Sequence, residues 1–177
     1  NFIALAKLQT QQGRAPVFLL GPKEADWLDA IRTAVPGALF PLQDDAVQAQ
    51  FGYSPMLTIA LSKRLRAAVS NDSGTGHLFA VGGVPVVILY GVTAPKKFMP
   101  MTDKLTIVRA QDFGGAEMRH IPLDAIEEAL EQAFRVPVQA QPGEVWSYNQ
   151  TNYVLLSMAL ESVHDGAPIA DLVEEHF

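Results

Sequence analysis

The residues best suited to chemistry lie in one short turn: Asp72, Ser73, Gly74, Thr75, Gly76 and His77. A run of alanine and valine precedes the turn and an apolar run follows it, which predicts a strand, a tight turn and a helix. In an open α/β sheet such a turn lies at the carboxyl end of a strand, where ligands bind. Asp72 and Ser73 can cap the helix, and Gly74 and Gly76 let a ligand approach the backbone. Because the amino end of a helix favours anions, a diphosphate is the expected ligand.

Each of these residues also has a purely structural interpretation. Capped glycine turns without a ligand occur in many α/β proteins, and Asp72 can serve only as a cap. A single histidine beside a helix start, such as His77, is often a packing or capping residue. The surrounding sequence favours the ligand-binding alternative.

A second apolar run, over residues 84–91, continues into a loop that contains Thr93 and Pro95. The order N-D-S-G-x-x-H-L, then x-G-x-P-x-V-x-L-x-G and x-T-x-P, resembles glycosyltransferase family 9, the heptosyltransferases of lipopolysaccharide core assembly. The likeness covers about residues 1–135. It implies the GT-B architecture, in which two Rossmann-like halves bind a nucleotide-sugar donor mainly through the carboxyl half.

The resemblance also implies roles for individual residues. Asp72, Ser73 and Gly74 are expected to meet the donor diphosphate and adjoining sugar, largely through backbone amides, with Thr75 and Gly76 in the same turn. His77 is expected to touch the same group. The residues expected to shape the nucleotide side of the cleft are Thr93 and Pro95.

Glu24 lies near the position where the family places a carboxylate on the nucleoside ribose, although a solvated or capping role is the alternative. Lys96 and Lys97 could face phosphate, but adjacent lysines in a proline-rich loop are usually solvated. The expected donor is an ADP-sugar, and neither a metal nor another cofactor is expected.

Helical and strand patterns alternate along residues 1–136. Helices are predicted over residues 2–12, 24–35, 56–65 and 123–134, with a short helix or loop over residues 44–50. Strands are predicted over residues 16–21, 67–70, 85–90 and 105–109, with a short one over residues 38–40. The alternation indicates an α/β fold: a Rossmann-like parallel sheet with helices on both faces, followed by a short helical appendage.

Composition separates the chain into two segments. Of 177 residues none is cysteine, which excludes disulfides and thiolate metal sites. The net charge of −6 comes entirely from residues 137–177, and this acidic balance argues against nucleic acid as a partner.

No run is long and apolar enough for a membrane span. The resemblance implies a cytoplasmic location, peripheral to the inner membrane in the parent family.

Residues 137–177 are expected to form a linker and a helical segment of different origin. The stretch from Pro142 is similar to the P-G-x-x-W-x-Y-S-N-T-N-Y-x-L-L segment of serine β-lactamase and penicillin-binding-like hydrolases; Tyr148 matches its tyrosine, but Gln150 replaces the asparagine. None of the seven serines begins Ser-x-x-Lys, so hydrolase activity is not expected. The apolar helix predicted over residues 152–163 must be buried on the first domain, on a second copy, or on a missing segment.

The sequence therefore predicts the donor-binding half of a heptosyltransferase-like enzyme. The family's general base and acceptor surface belong to the amino-terminal half, so turnover by this chain alone is not expected and no catalytic residue is identified. One alternative is an artificial chimera that serves as a non-catalytic scaffold, with the tail helix as a homo-oligomer interface. Another is a fragment of a serine hydrolase.

Overall fold

Three parallel strands form the sheet around which the described part of the chain is built. A computed structural model describes residues 1–137. The strands are β1 (Ala68–Asn71), β2 (Val86–Tyr90) and β3 (Leu105–Arg109), and they lie in that order with β2 at the centre. All pairings are parallel, with Ser70 opposite Ile88 and Ile88 opposite Ile107. The parallel α/β fold predicted from the sequence is confirmed.

Within residues 1–137, helices occupy most of the chain outside the sheet. The α-helices are α1 (Phe2–Gln11), α2 (Leu28–Ala34), α3 (Asp45–Phe51), α4 (Pro55–Ser62), α5 (Gly74–Val81), α6 (Pro95–Phe98) and α7 (Leu123–Arg135). Short 3-10 helices span Pro22–Trp27, Pro41–Gln43, Ala110–Phe113 and Met118–His120. Because a parallel connection has to cross over the sheet, α5, which joins β1 to β2, lies against one of its faces.

Two apolar clusters cover the two faces of the sheet. The first contains residues of α1, α7, β2 and β3, among them Leu5, Val87, Leu89, Val108, Ile126 and Leu130. The second contains residues of α5, β1 and β2: Ala68, Phe79, Val84, Val86, Ile88 and Tyr90. Successive residues of β2 alternate between the clusters, and all five are almost fully buried. This two-sided burial explains why β2 reads as a continuous apolar run.

The two strands predicted over residues 16–21 and 38–40 are reduced to a single parallel bridge between Val17 and Leu39. Only two backbone hydrogen bonds accompany it: Phe18 donates to the Leu39 carbonyl and Leu39 to that of Pro16, each at 2.8 Å. Prolines 16 and 41 border the bridge and lack an N–H for a longer ladder. Because most of this segment is only half-buried, the prediction of a strand buried on both faces is wrong.

The helix predicted over residues 24–35 is divided into the 3-10 helix Pro22–Trp27 and α2. Trp27, whose spacing from Ile31 and Ala34 fits the predicted helix, is 59% exposed. Residues 44–50, predicted as a helix or a loop, form α3; the Asp44 carboxylate caps it by accepting from two backbone amides at 3.0 Å. The helices predicted in the tail, and the oligomer interface assigned to them, lie outside the described residues.

Candidate functional site

The turn between β1 and α5 lies at the carboxyl edge of the sheet. β1 ends at Asn71, and the amide of Asp72 still donates to the Leu89 carbonyl of β2 at 3.1 Å. Ser73 is the N-cap residue of α5, and its extended backbone turns the chain from the strand into the helix. The short stretch of Asp72 and Ser73 therefore places the amino end of a two-turn helix directly beside two strand ends.

The predicted capping of α5 by side chains is wrong. Neither Asp72 nor Ser73 makes a side-chain hydrogen bond to the first amides of the helix. A backbone bond from the Gly76 amide to the Ser73 carbonyl, at 3.1 Å, closes the first turn. Within residues 1–137 the amides of Gly74 and Thr75 have no such bond, and without a side-chain cap they remain available to a ligand.

The two glycines of the turn have different surroundings. Gly74 is exposed, and a Cβ atom there would meet nothing within 4 Å. Gly76 is buried, and a Cβ atom there would lie 2.6 Å from Cδ1 of Ile88 and 3.0 Å from Oγ of Ser70. Because Gly76 has no side chain, α5 can pack close to the sheet. The open backbone that was predicted to admit a ligand at both glycines is present at Gly74.

The loop after β2 lies at the same edge, because parallel neighbouring strands end on the same side of a sheet. In it Thr93 is half-buried and Pro95 begins α6. The Gln111 amide group donates to the Gly91 carbonyl at 2.5 Å and ties the segment after β3 to this loop. Topology therefore brings the predicted residues 72–77 and 93–95 to one edge.

Of the remaining predicted residues, His77 is exposed on α5, in keeping with either of its predicted roles. Glu24 lies in the 3-10 helix that follows Gly21, with its Oε2 atom 2.8 Å from where a Gly21 Cβ would be. No hydrogen bond among residues 1–137 joins Glu24 to the turn. Lys96 and Lys97 are exposed, and the ammonium group of Lys97 lies 5.2 Å from the ring centre of Phe98.

Two residues at this edge were not singled out by the sequence. Arg109, the last residue of β3, donates to both carboxylate oxygens of Asp112, and this partner raises the pKa of the guanidinium above its ordinary value. Tyr90, the last residue of β2, is fully buried, and its hydroxyl has no hydrogen-bond partner in the described part of the chain. The sequence feature that could have identified Tyr90 is a hydroxyl-bearing aromatic residue at the end of an otherwise aliphatic strand.

Residues 1–137 hold no group of three or more histidine, aspartate or glutamate side chains placed to bind a metal ion. Within the same range no helix has the length and apolar character needed to cross a membrane.

Solved structures place this fold among GT-B glycosyltransferases. "E. coli heptosyltransferase WaaC with ADP" superposes with a TM-score of 0.62 at 19% identity, over 74% of this chain and 38% of that one. The family 9 glycosyltransferase of Veillonella parvula gives 0.61 at 19% identity, over 75% and 40%. The ADP-heptose lps heptosyltransferase II of E. coli gives 0.59 at 23% identity, over 75% and 40%. At these identities the likeness establishes the fold.

The sequence comparison identifies the family. The model of glycosyltransferase family 9 (heptosyltransferase) matches residues 1–122, more than half of the chain, and the chain belongs to that family. The lipooligosaccharide heptosyltransferase 2 of Haemophilus influenzae is 30% identical over 109 residues, which are 62% of this chain and 31% of the relative. The chain thus contains a heptosyltransferase-like glycosyltransferase domain that spans about a third of that relative.

A second family model, Beta-lactamase, matches residues 97–177. This match supports the predicted hydrolase-like segment, although it begins well before the predicted boundary at residue 137. It overlaps the glycosyltransferase match over residues 97–122. In the overlap, β3 pairs in parallel with β2, so this part of the chain is built into the α/β sheet.

Proposed function

We propose that residues 1–136 are the donor-binding half of a heptosyltransferase-like enzyme and bind a nucleotide sugar of the ADP-heptose type. The observation that carries the proposal is the uncapped amino end of α5 at the carboxyl edge of the sheet. Its free amides and the helix dipole favour a diphosphate. The exposed Gly74 leaves room for that diphosphate to approach the backbone.

The neighbouring loop supplies the second wall of the proposed site. Residues Thr93 and Pro95 follow β2 and lie at the same edge as the turn, where they would contact the nucleotide. His77, one turn into α5, is exposed and accessible to a ligand at the helix start. A structural relative bears ADP in its own structure, which supports a nucleoside diphosphate as the probe.

We propose further that the 177-residue chain does not complete transfer by itself. It spans 31% of its curated relative and about 40% of the solved ones. Holding an acceptor against the donor supplies much of the rate of a transfer reaction, and that positioning requires a second surface. We therefore expect donor binding without measurable transfer of the sugar to an acceptor.

Calorimetric titration with ADP tests the donor site. Wild type should bind saturably, and Gly74→Trp should abolish binding, because its Cβ would meet nothing within 4 Å while its indole would cover the helix amides. Gln132→Trp is the matched control, since residue 132 is exposed on α7. Absence of binding by wild type at millimolar ADP would refute the proposal, as would undiminished binding by Gly74→Trp.

The rival proposal, a chimeric scaffold with a hydrolase-derived tail, is favoured by the Beta-lactamase match. It predicts an oligomer that dissociates when residues 138–177 are removed, and no nucleotide dependence of stability. Sedimentation velocity of the full and shortened chains measures the first property. Hydrolysis of a chromogenic lactam is the separate test of a hydrolase fragment, and the missing Ser-x-x-Lys sequence predicts none.

A further inference from the structure

The hydroxyl of Tyr90 is a buried polar group that packing alone does not explain. The side chain is 0% exposed and belongs to the apolar cluster on the α5 face of the sheet, with Phe79 and Ile88. Its oxygen has no hydrogen-bond partner within residues 1–137. Since buried hydroxyls are nearly always paired, an orphan of this kind calls for a functional reason.

Asp72 occupies the register position beside Tyr90, across from it on the neighbouring chain segment. The last register pair of β1 and β2 is Asn71 with Leu89, so Asp72 and Tyr90 are the following residue on each chain. The bond from the Asp72 amide to the Leu89 carbonyl continues the ladder to this point. Residues that face each other in a parallel register project to the same side of the sheet.

The electrostatics agree with this placement. The pKa of Tyr90 is raised above its ordinary value, first by burial and then by the negative charge of Asp72. The Asp72 side chain is half-buried and makes no hydrogen bond to other residues in the described part of the chain. A phenol that lacks an acceptor and a carboxylate that lacks a donor therefore occupy adjacent register positions at the carboxyl edge of the sheet.

The chemistry of the carboxylate decides what it can bind. An ionised carboxylate only accepts hydrogen bonds, so it repels a diphosphate and suits the hydroxyl groups of a sugar. A phenol that donates to one carboxylate oxygen would hold the group in place and leave the other oxygen for a ligand hydroxyl. Hydrogen bonds between an O–H and a carboxylate are short and strong.

We propose that Tyr90 is a positioning residue that donates to Asp72 in the ligand-bound state and orients its carboxylate toward the hydroxyl groups of a nucleotide sugar. The inference rests on the proposed donor-binding function. The orphan hydroxyl of the free protein gains its partner when the ligand fixes the carboxylate, so part of the binding free energy comes from a bond within the protein.

A double-mutant cycle on the full chain tests the proposal. Dissociation constants for ADP-heptose are measured by calorimetry for wild type, Tyr90→Phe, Asp72→Asn and the double variant. Tyr90→Phe should weaken binding by roughly 10- to 150-fold, the value of a hydrogen bond to a charged group. In the Asp72→Asn background the same change should have a much smaller effect, because the neutral amide oxygen that remains is a weaker acceptor than the carboxylate.

Thermal unfolding separates this role from simple packing. Tyr90→Phe should leave the melting temperature of the free protein unchanged or higher, because it removes an unpaired buried hydroxyl. Ile88→Val, on the same face of β2, is the control: it should lower the melting temperature and leave the dissociation constant unchanged.

The outcomes distinguish the inference from the proposed function. Wild-type affinity in Tyr90→Phe, or losses that multiply in the double variant, would overturn the positioning role while donor binding stands. If the wild type does not bind ADP-heptose, both fail. Parallel titrations with ADP show which part of the ligand the carboxylate contacts. Weaker binding of ADP by Tyr90→Phe indicates the ribose, and weaker binding of ADP-heptose alone indicates the transferred sugar. Either loss of affinity supports the positioning role.

Discussion

Gly76→Ala should destabilise the protein by adding one methyl group between α5 and the sheet. The new Cβ atom would lie 2.6 Å from Cδ1 of Ile88, about 1 Å closer than ordinary contact, and 3.0 Å from Oγ of Ser70. Ile88 is 1% exposed and cannot move into solvent. Overpacking of this kind costs about 1–3 kcal/mol, and the better helix propensity of alanine offsets about 0.5–1 kcal/mol of it. The net expected loss is about 1–2 kcal/mol.

Gly74→Ala is the matched control, because it adds the same methyl group to the same helix where nothing lies within 4 Å. Without the clash, the helix propensity of alanine should leave this variant as stable as wild type or slightly more stable. Both variants are compared by urea unfolding followed by far-ultraviolet circular dichroism. The midpoint for Gly76→Ala should fall by roughly 0.5–1 M relative to Gly74→Ala. Equal midpoints would refute the argument that Gly76 is required by helix–sheet packing.

Three further predictions concern the fold. Leu130→Ala, in the cluster between α7 and the sheet, should lower the free energy of unfolding in urea by about 2–5 kcal/mol. The exposed control Gln132→Ala should change it by less than about 0.5 kcal/mol. Similar values for the two variants would contradict the assigned core. Asp44→Ala should cost about 1 kcal/mol in thermal unfolding by removing the cap of α3, and an unchanged melting temperature would argue against that cap. Because burial and the charge of Asp72 raise the pKa of Tyr90, the unfolded chain ionises this phenol first, and the stability of the protein falls as the pH rises above about 10. Tyr90→Phe should therefore lose less stability than wild type between pH 9 and 11, and equal losses in a pH series of urea midpoints would speak against it.

Most of the sheet could be predicted because its signals are local. The strands over residues 85–90 and 105–109 agree with β2 and β3 to within one residue, and the amphipathic pattern over residues 123–134 agrees with α7. A continuous aliphatic run indicates a strand that is buried on both faces. An apolar repeat of 3.6 residues indicates a helix with one buried face. The turn at residues 72–77 was recognisable for the same reason, since its glycines and short polar residues interrupt two apolar runs.

The predictions that failed depended on partners distant in sequence. The apolar run over residues 16–21 has the composition of a strand, but a strand also needs a neighbour, and only Val17 and Leu39 pair. Trp27 has helical spacing with Ile31 and Ala34, but it ends a 3-10 helix that precedes α2, and its indole is exposed. Short apolar segments are ambiguous because burial is decided by what packs against them.

The amino-acid sequence by itself determined the family, the order of the central elements and the position of the turn, since each is encoded in contiguous residues. Only the tertiary structure decided that Gly76 serves packing while Gly74 remains open, and that Ser73 leaves the helix amides uncapped. It alone showed that Asp72 and Tyr90 share a register position and that the Tyr90 hydroxyl has no partner in the described part of the chain. These features depend on the register between two strands and on the distance of a helix from a sheet. Such relations join residues far apart in the chain and leave no local pattern in the sequence.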